Sequence, residues 1–232
     1  MQDTPTDQPP SPNVFPLVRH ISARLTPLLY RSPLSANHVT FISMLLGLGA
    51  AWSVGLGSHG MDVLGGVLLV ACYVLDNCDG EIARLKGQSS EFGRRFDNFV
   101  DWVVHTAFFA ALGWGVTQTS GQQVWLWLGG IAAAGSTINY VIGTIAEERE
   151  AAERSKAAAG DEASGATGAK QPETWRQWIM FAFRELSRAD FCFIVMGLAI
   201  FGQTWLLLPF GAIGAQAFWA VHLAPGAREH HV

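Results

Sequence analysis

Residues 75–101 read LDNCDGEIARLKGQSSEFGRRFDNFVD, and this stretch joins two strongly apolar segments of the chain. It carries four aspartates, Asp76, Asp79, Asp97 and Asp101. Carboxylates at the margin of a membrane core are costly to desolvate, so residues of this kind mark a functional site. Asp76 and Asp79 are spaced i, i+3, and Asp97 and Asp101 are spaced i, i+4. Each pair therefore shares one helical face, with Cβ atoms about 5–6 Å apart. The first pair ends one apolar segment and the second begins the next, so a turn between antiparallel helices would bring all four together. Four crowded anions repel one another, and a divalent cation resolves that repulsion. Oxygen-only ligands select a hard ion, Mg²⁺ or Mn²⁺. Four carboxylates suit two such ions, which in two-metal sites lie about 3.5–4 Å apart and clamp a phosphoryl group.

The rest of the chain fits a membrane setting. Of 232 residues, 50% are hydrophobic and only 15% charged, against roughly 25% charged in an ordinary soluble domain. A net charge of −4 argues against a nucleic-acid partner. Three cysteines, Cys72, Cys78 and Cys192, have no zinc-like spacing and read as free thiols. Six apolar segments reach or approach the ~20 residues of a membrane helix: 38–57, 61–79, 96–116, 123–146, 190–207 and 209–224. All fifteen Lys and Arg residues avoid the connections at 57–61, 116–123 and 207–209. An even number of spans places every one of them on one side, which the positive-inside rule makes cytoplasmic. The expectation is an all-α integral membrane protein with six transmembrane helices, both termini in the cytoplasm and the aspartates at the cytoplasmic face. In a bacterium this membrane is the cell inner membrane.

Outside the spans, residues 1–13 read as a disordered polar tail and 14–232 as one membrane domain. Residues 14–31 place Val14, Leu17, Ile21, Leu25 and Leu28 at helical spacing, with Arg19 and Arg24 off the stripe. This predicts an amphipathic helix lying in the interface against acidic membrane lipid, with Pro27 breaking it near its end. Residues 147–172 predict a cytoplasmic linker whose first half extends the fourth span and whose remainder, from Gly160, is flexible. Residues 173–188 are again amphipathic, with Trp175 and Trp178 suited to the headgroup zone.

The residues between the aspartates suit phosphate chemistry. Gly80 lets a ligand approach the backbone, Ala83 is small and one turn on, and Arg84 is a planar donor for a diphosphate. Gly93, one turn before Asp97, allows close approach of a helix or nucleotide. Arg94 and Arg95 read as positive-inside anchors, Glu81 as a solvated turn carboxylate and His105 as a hydrogen-bonded packing residue. Arg184 and Arg188, at the depth of the aspartates, are candidates to bind an anionic ligand such as an alcohol phosphate, or to anchor the chain.

The full pattern is Asp-x2-Asp-Gly-x2-Ala-Arg-x8-Gly-x3-Asp-x3-Asp, running from Asp76 to Asp101. It resembles the signature of the CDP-alcohol phosphotransferases at all eight specified positions. Upstream, SANHVT (Ser35 to Thr40) is similar to the family's Pro-Asn-x-x-Thr, with Ala36 in place of the proline. The resemblance implies a transferase that moves a substituted phosphate from a CDP-linked donor, such as CDP-diacylglycerol, to an alcohol, releasing CMP in phospholipid biosynthesis. It implies that Asp76, Asp79 and Asp97 hold the metals, with Asp101 contributing and also serving as base. Gly80, Ala83, Arg84 and Gly93 would line the CDP pocket, joined by Asn37 and Thr40, and a homodimer is common in the family. Two other readings compete. A Mg²⁺-dependent intramembrane prenyltransferase would release pyrophosphate, and a divalent-cation transporter would set its carboxylates near mid-membrane. The sequence leaves the acceptor open among glycerol phosphate, inositol phosphate, serine and a second lipid.

Overall fold

The computed structural model describes residues 17–158 and 190–223. Among these the chain is entirely helical: α1 (Leu17–Tyr30), α2 (Ala36–Gly55), α3 (His59–Leu85), α4 (Glu91–Ser120), α5 (Val124–Ala158), α6 (Phe191–Ile200) and α7 (Leu207–Leu223), with a 3₁₀ turn at Thr204–Leu206. Among the described residues, four stretches are long and apolar enough to cross a membrane: Ala36–Gly55, His59–Leu85, Glu91–Ser120 and Val124–Arg149. They correspond to the first four expected spans. The tail at 1–13, the flexible part of the linker, the 173–188 amphipath, Arg184 and Arg188 lie outside the described residues.

Both aspartate pairs sit inside helices rather than at their ends. Hydropathy drops at the first charge, but backbone hydrogen bonding continues until a residue stops it. For α3 the stop is Gly87, at φ +65°. There Gln88 N donates to Ala83 O (2.8 Å) and Gly87 N to Arg84 O (3.4 Å), which satisfies two terminal carbonyls. Three residues later Ser90 caps the start of α4, its hydroxyl accepting from Gly93 N at 3.0 Å. The same glycine stop, at Gly202 (φ +66°) with Gln203 N donating to Leu198 O, ends α6 at Ile200. The expected span at 190–207 is therefore a ten-residue helix in its described part, about 15 Å long. The expected 209–224 span appears as the 17-residue α7. At the other extreme, α5 runs 35 residues and carries the first part of the 147–172 linker as helix to Ala158.

Helix α2 packs against both α3 and α4, α5 against α4 and α7, and α3 against α1 and α6. Helix α2 is thus wedged between α3 and α4. The buried core follows that arrangement, with Val39, Ala50 and Val54 of α2, Leu69, Cys72 and Ile82 of α3, and Val100, Val104, Phe108 and Leu112 of α4. All three cysteines are buried and free.

Helix α1 leaves its apolar stripe outward and docks on the bundle through another face. Its buried residues are Val18, Ser22 and Thr26, whereas Leu17, Ile21 and Leu28 of the apolar stripe are exposed. The polar pair is buried because it has an acceptor: Ser22 Oγ donates to Glu81 Oε1 (3.0 Å) and Thr26 Oγ1 to Glu81 Oε2 (2.5 Å). Glu81 is thus a docking group and not a solvated one. The helix also passes through Pro27 to Tyr30. One missing N–H is tolerated because Thr26 and Leu29 on either side are anchored in the core contact. At the N-terminus, fully buried Asp190 accepts from Leu17 N (2.9 Å) and Val18 N (3.0 Å). A carboxylate there satisfies orphan donors and faces the positive end of the helix dipole.

Candidate metal centre

Helix α3 supplies Asp76 and Asp79, and α4 supplies Asp97. One carboxylate oxygen from each lies within 4.8 Å of the others. Asp79 is buried, and Asp76 and Asp97 are half-buried. At that separation each pair of charges repels by about 3–4 kcal/mol at an effective dielectric of ~20. Among the described residues no Lys or Arg is ion-paired to any of the three. The ion pairs join Arg94 and Arg95 to Glu91, Glu147 and Glu148. The Oδ1 atom of Asp97 is buried without a hydrogen-bond partner. An uncompensated triad with an orphaned buried oxygen fits a bound hard cation and does not fit a structural ion pair.

Asp101 lies one turn beyond Asp97 on α4 and is exposed; the group that closes to 4.8 Å contains the other three. Arg84 is exposed, and a Cβ placed on Gly80 would meet only its Nη1, at 3.5 Å, so the backbone of Gly80 is open to a ligand. Gly93 is tighter: a Cβ there would lie 3.2 Å from Ser90 Oγ and 3.3 Å from Asn37 Oδ1. This brings Asn37, Gly93 and the start of α4 together. Ala83 is half-buried on the α3 face that carries Asp76 and Asp79. Ala36, which stands where the family signature has proline, uses the N–H a proline would lack: it donates to Gln88 Oε1 at 3.0 Å and ties α2 to the α3–α4 turn.

Thr40 is buried and donates to Asp79 Oδ2 at 2.5 Å. A ligand's hydrogen-bond partner fixes its orientation, and loss of such a partner typically costs 10–100-fold in metal affinity. Thr40→Val, nearly isosteric, is therefore expected to weaken Mn²⁺ binding by roughly tenfold or more. Thr40→Ser should stay near wild type. Calorimetric titration of Mn²⁺ into both variants checks this, and equal affinities would remove Thr40 from the site.

Deeper along the helices, Tyr73 Oη and His105 Nε2 meet at 2.8 Å, and His105 Nδ1 meets the Asp101 carbonyl at 2.8 Å. A carbonyl only accepts, so Nδ1 carries the proton, and in the neutral ring Nε2 accepts from the tyrosine. His105 is thus the hydrogen-bonded packing residue expected, and the pair bridges α3 and α4 below the carboxylates. Arg94 bonds Glu147 and, at 2.7 Å, Glu91; Arg95 bonds Glu91 at 2.9 Å. Read as anchors, these arginines in fact tie α4 to the extension of α5. Sequence reading missed the docking role of Glu81. The available signal was Ser22 and Thr26 at i, i+4, a polar pair on a helix that otherwise reads as an apolar stripe. A cavity of about 400 Å³ lies at the opposite end of the bundle, between Val54, Asp62, Val116, Trp125 and Trp205, and the four site aspartates do not line it.

The family model of the CDP-alcohol phosphatidyltransferases matches residues 34–205. Among curated proteins, the bifunctional IPC transferase and DIPP synthase of Aquifex aeolicus is 31% identical over 127 residues, covering 53% of this chain and 28% of that protein. The protein of the same name from Rubrobacter xylanophilus is 37% identical over 95 residues, 39% of this chain and 21% of its own length. The matches thus span about a quarter of those relatives. Among solved structures, Mycobacterium tuberculosis phosphatidylinositol phosphate synthase (PgsA1) with CDP-DAG bound aligns with TM-score 0.54 at 23% identity, covering 90% of this chain and 96% of that one. Its apo form aligns at 0.53. These likenesses establish the fold.

Proposed function

The chain belongs to the CDP-alcohol phosphatidyltransferase family, and on that premise we propose that it transfers a phosphatidyl group from CDP-diacylglycerol, or a related CDP-linked lipid, to an alcohol with release of CMP. The observation that carries the reading is the convergence of Asp76, Asp79 and Asp97, from two helices, to within 4.8 Å with an orphaned oxygen on Asp97. That triad falls on family motif positions. Asp76, Asp79 and Asp97 would hold Mg²⁺ or Mn²⁺, and Asp101, one turn on in α4, would contribute to a second ion. When bound, the ions neutralise the diphosphate and the leaving oxygen. Arg84, beside the open backbone of Gly80, takes the diphosphate, and Ala83, Gly93, Asn37 and Thr40 bound the nucleotide pocket. Asp101 accepts the hydroxyl proton as the acceptor oxygen bonds to the lipid-bearing phosphorus. The bond from that phosphorus to the bridging oxygen breaks, and CMP departs with that oxygen. A carboxylate is a weak base, so positioning carries much of the rate.

The proposed setting is a six-span bundle formed by residues 14–232, with α1 on the interface. Both termini and the carboxylates face the cytoplasm, supported by the one-sided distribution of Lys and Arg. Arg184 and Arg188 are candidates for an anionic acceptor, and a homodimer is the expected assembly. The test is to incubate purified protein with CDP-diacylglycerol, Mg²⁺ and separate alcohols (glycerol phosphate, inositol phosphate, serine) and to measure CMP. Release that depends on both metal and one acceptor supports the proposal. Pyrophosphate release from a prenyl donor, or metal flux into vesicles without nucleotide, would contradict it.

A further inference from the structure

The last two turns of α3 serve two faces at once. Asp76, Asp79 and Ala83 form one face, toward the metal centre. Cys78, Glu81 and Ile82 form the other, and α1 covers it. Cys78 and Ile82 are fully buried, and Cys78 Sγ lies 3.8 Å from the Ser22 carbonyl oxygen. Glu81 receives both buried hydroxyls of α1, Ser22 at 3.0 Å and Thr26 at 2.5 Å. A second carboxylate, Asp190, holds the N-terminus of α1. The side of α1 turned away from α3 exposes Leu17 and Ile21 (40% each) and Leu28 (66%), and Arg19 and Arg24 are also exposed. Apolar side chains flanked by arginines suit an anionic lipid surface.

We infer that Glu81 is a positioning residue: through it α1 holds the metal-binding turns of α3 in register, so that the lipid surface under α1 is coupled to the metal centre. This rests on the metal reading of Asp79. Glu81 is two residues from Asp79 on the same helix, so a rotation or fraying of that segment moves both. Outside α1, the end of α3 is held by Lys86, whose Nζ donates to Ser32 O (3.0 Å) and Leu34 O (2.7 Å) in the α1–α2 connection. That tether also depends on where α1 ends.

The test uses full-length protein in nanodiscs of phosphatidylcholine and phosphatidylglycerol, with Mn²⁺ affinity and amide exchange of residues 17–30 as readouts. The double variant Ser22→Ala/Thr26→Val removes both donors without touching the metal centre. It should speed exchange in α1 and weaken Mn²⁺ binding about tenfold. Glu81→Ala should do the same. Glu81→Gln should stay within about twofold of wild type, because an amide accepts from one hydroxyl and donates to the other. Faster α1 exchange with unchanged Mn²⁺ affinity overturns the coupling, and unchanged exchange overturns the docking role. If wild type itself binds no Mn²⁺, the metal reading fails first and this inference fails with it.

Discussion

Asp97→Asn is expected to lower CMP release by about two to three orders of magnitude, the scale on which loss of one electrostatic contact to a reacting centre is felt. The fold should survive the change. Asp97 has one buried oxygen without a partner, and its neighbours Asp76 and Asp79 lie within 4.8 Å. Removing one of three like charges relieves repulsion worth about 3–4 kcal/mol per pair. In chelator the variant should therefore melt at or above the wild-type temperature. Added Mg²⁺ should raise the wild-type melting temperature and leave the variant's nearly unmoved, since a ligand stabilises only the state that binds it. Thermal scans with and without metal, beside the CMP assay, give both halves of the result. A variant with wild-type turnover would take Asp97 out of the metal centre.

A comparably large loss is expected far from any charge. A Cβ on Gly47 of α2 would sit 2.5 Å from Val104 Cγ2, 2.6 Å from its Cγ1 and 3.1 Å from Cys72 Sγ. Val104 is on α4, two turns from Asp97, and Cys72 is on α3, one turn from Asp76. Gly47 is therefore a point where the wedge helix packs against side chains of both carboxylate-bearing helices at once. Val104 is β-branched and buried, so it has no free rotamer to retreat into. Gly47→Ala must push α4 away, and a displacement of about 1 Å at a reacting centre costs around a hundredfold. Overpacking should also destabilise the bundle by about 1–3 kcal/mol. Adding Val104→Ala to the same chain makes room for the new methyl and should recover most of the turnover. If Gly47→Ala alone is fully active, α2 does not set the spacing of the site.

These two sites differ in how legible they are from the sequence. Asp97 is visible because its spacing to Asp76, Asp79 and Asp101 is a local property of two helices, and the four long apolar spans follow from composition alone. Gly47 gives no sign of its role, because what matters is the pair of side chains, 25 and 57 residues away, that it packs against. The docking face of α1 is hidden for the same reason. Ser22 and Thr26 are buried against an acceptor 59 and 55 residues on, while the apolar stripe is left outward, where a lipid surface can take it. Arg94 and Arg95 read as anchors because their partners, Glu147 and Glu148, lie on the extension of α5, which the sequence predicts without showing that it runs beside the start of α4. The early end of α6 at Gly202 was open to reading, since a glycine after an apolar run is a helix stop. It was masked by the apolar residues that continue past it.

The proposed chemistry depends on cations held between α3 and α4. Anomalous diffraction from Mn²⁺-loaded crystals tests this most directly. The predicted result is a manganese peak about 2 Å from carboxylate oxygens of Asp76, Asp79 and Asp97, absent in Asp97→Asn crystals grown alike. Manganese bound elsewhere, or a wild-type map with no peak among those three aspartates, would contradict it.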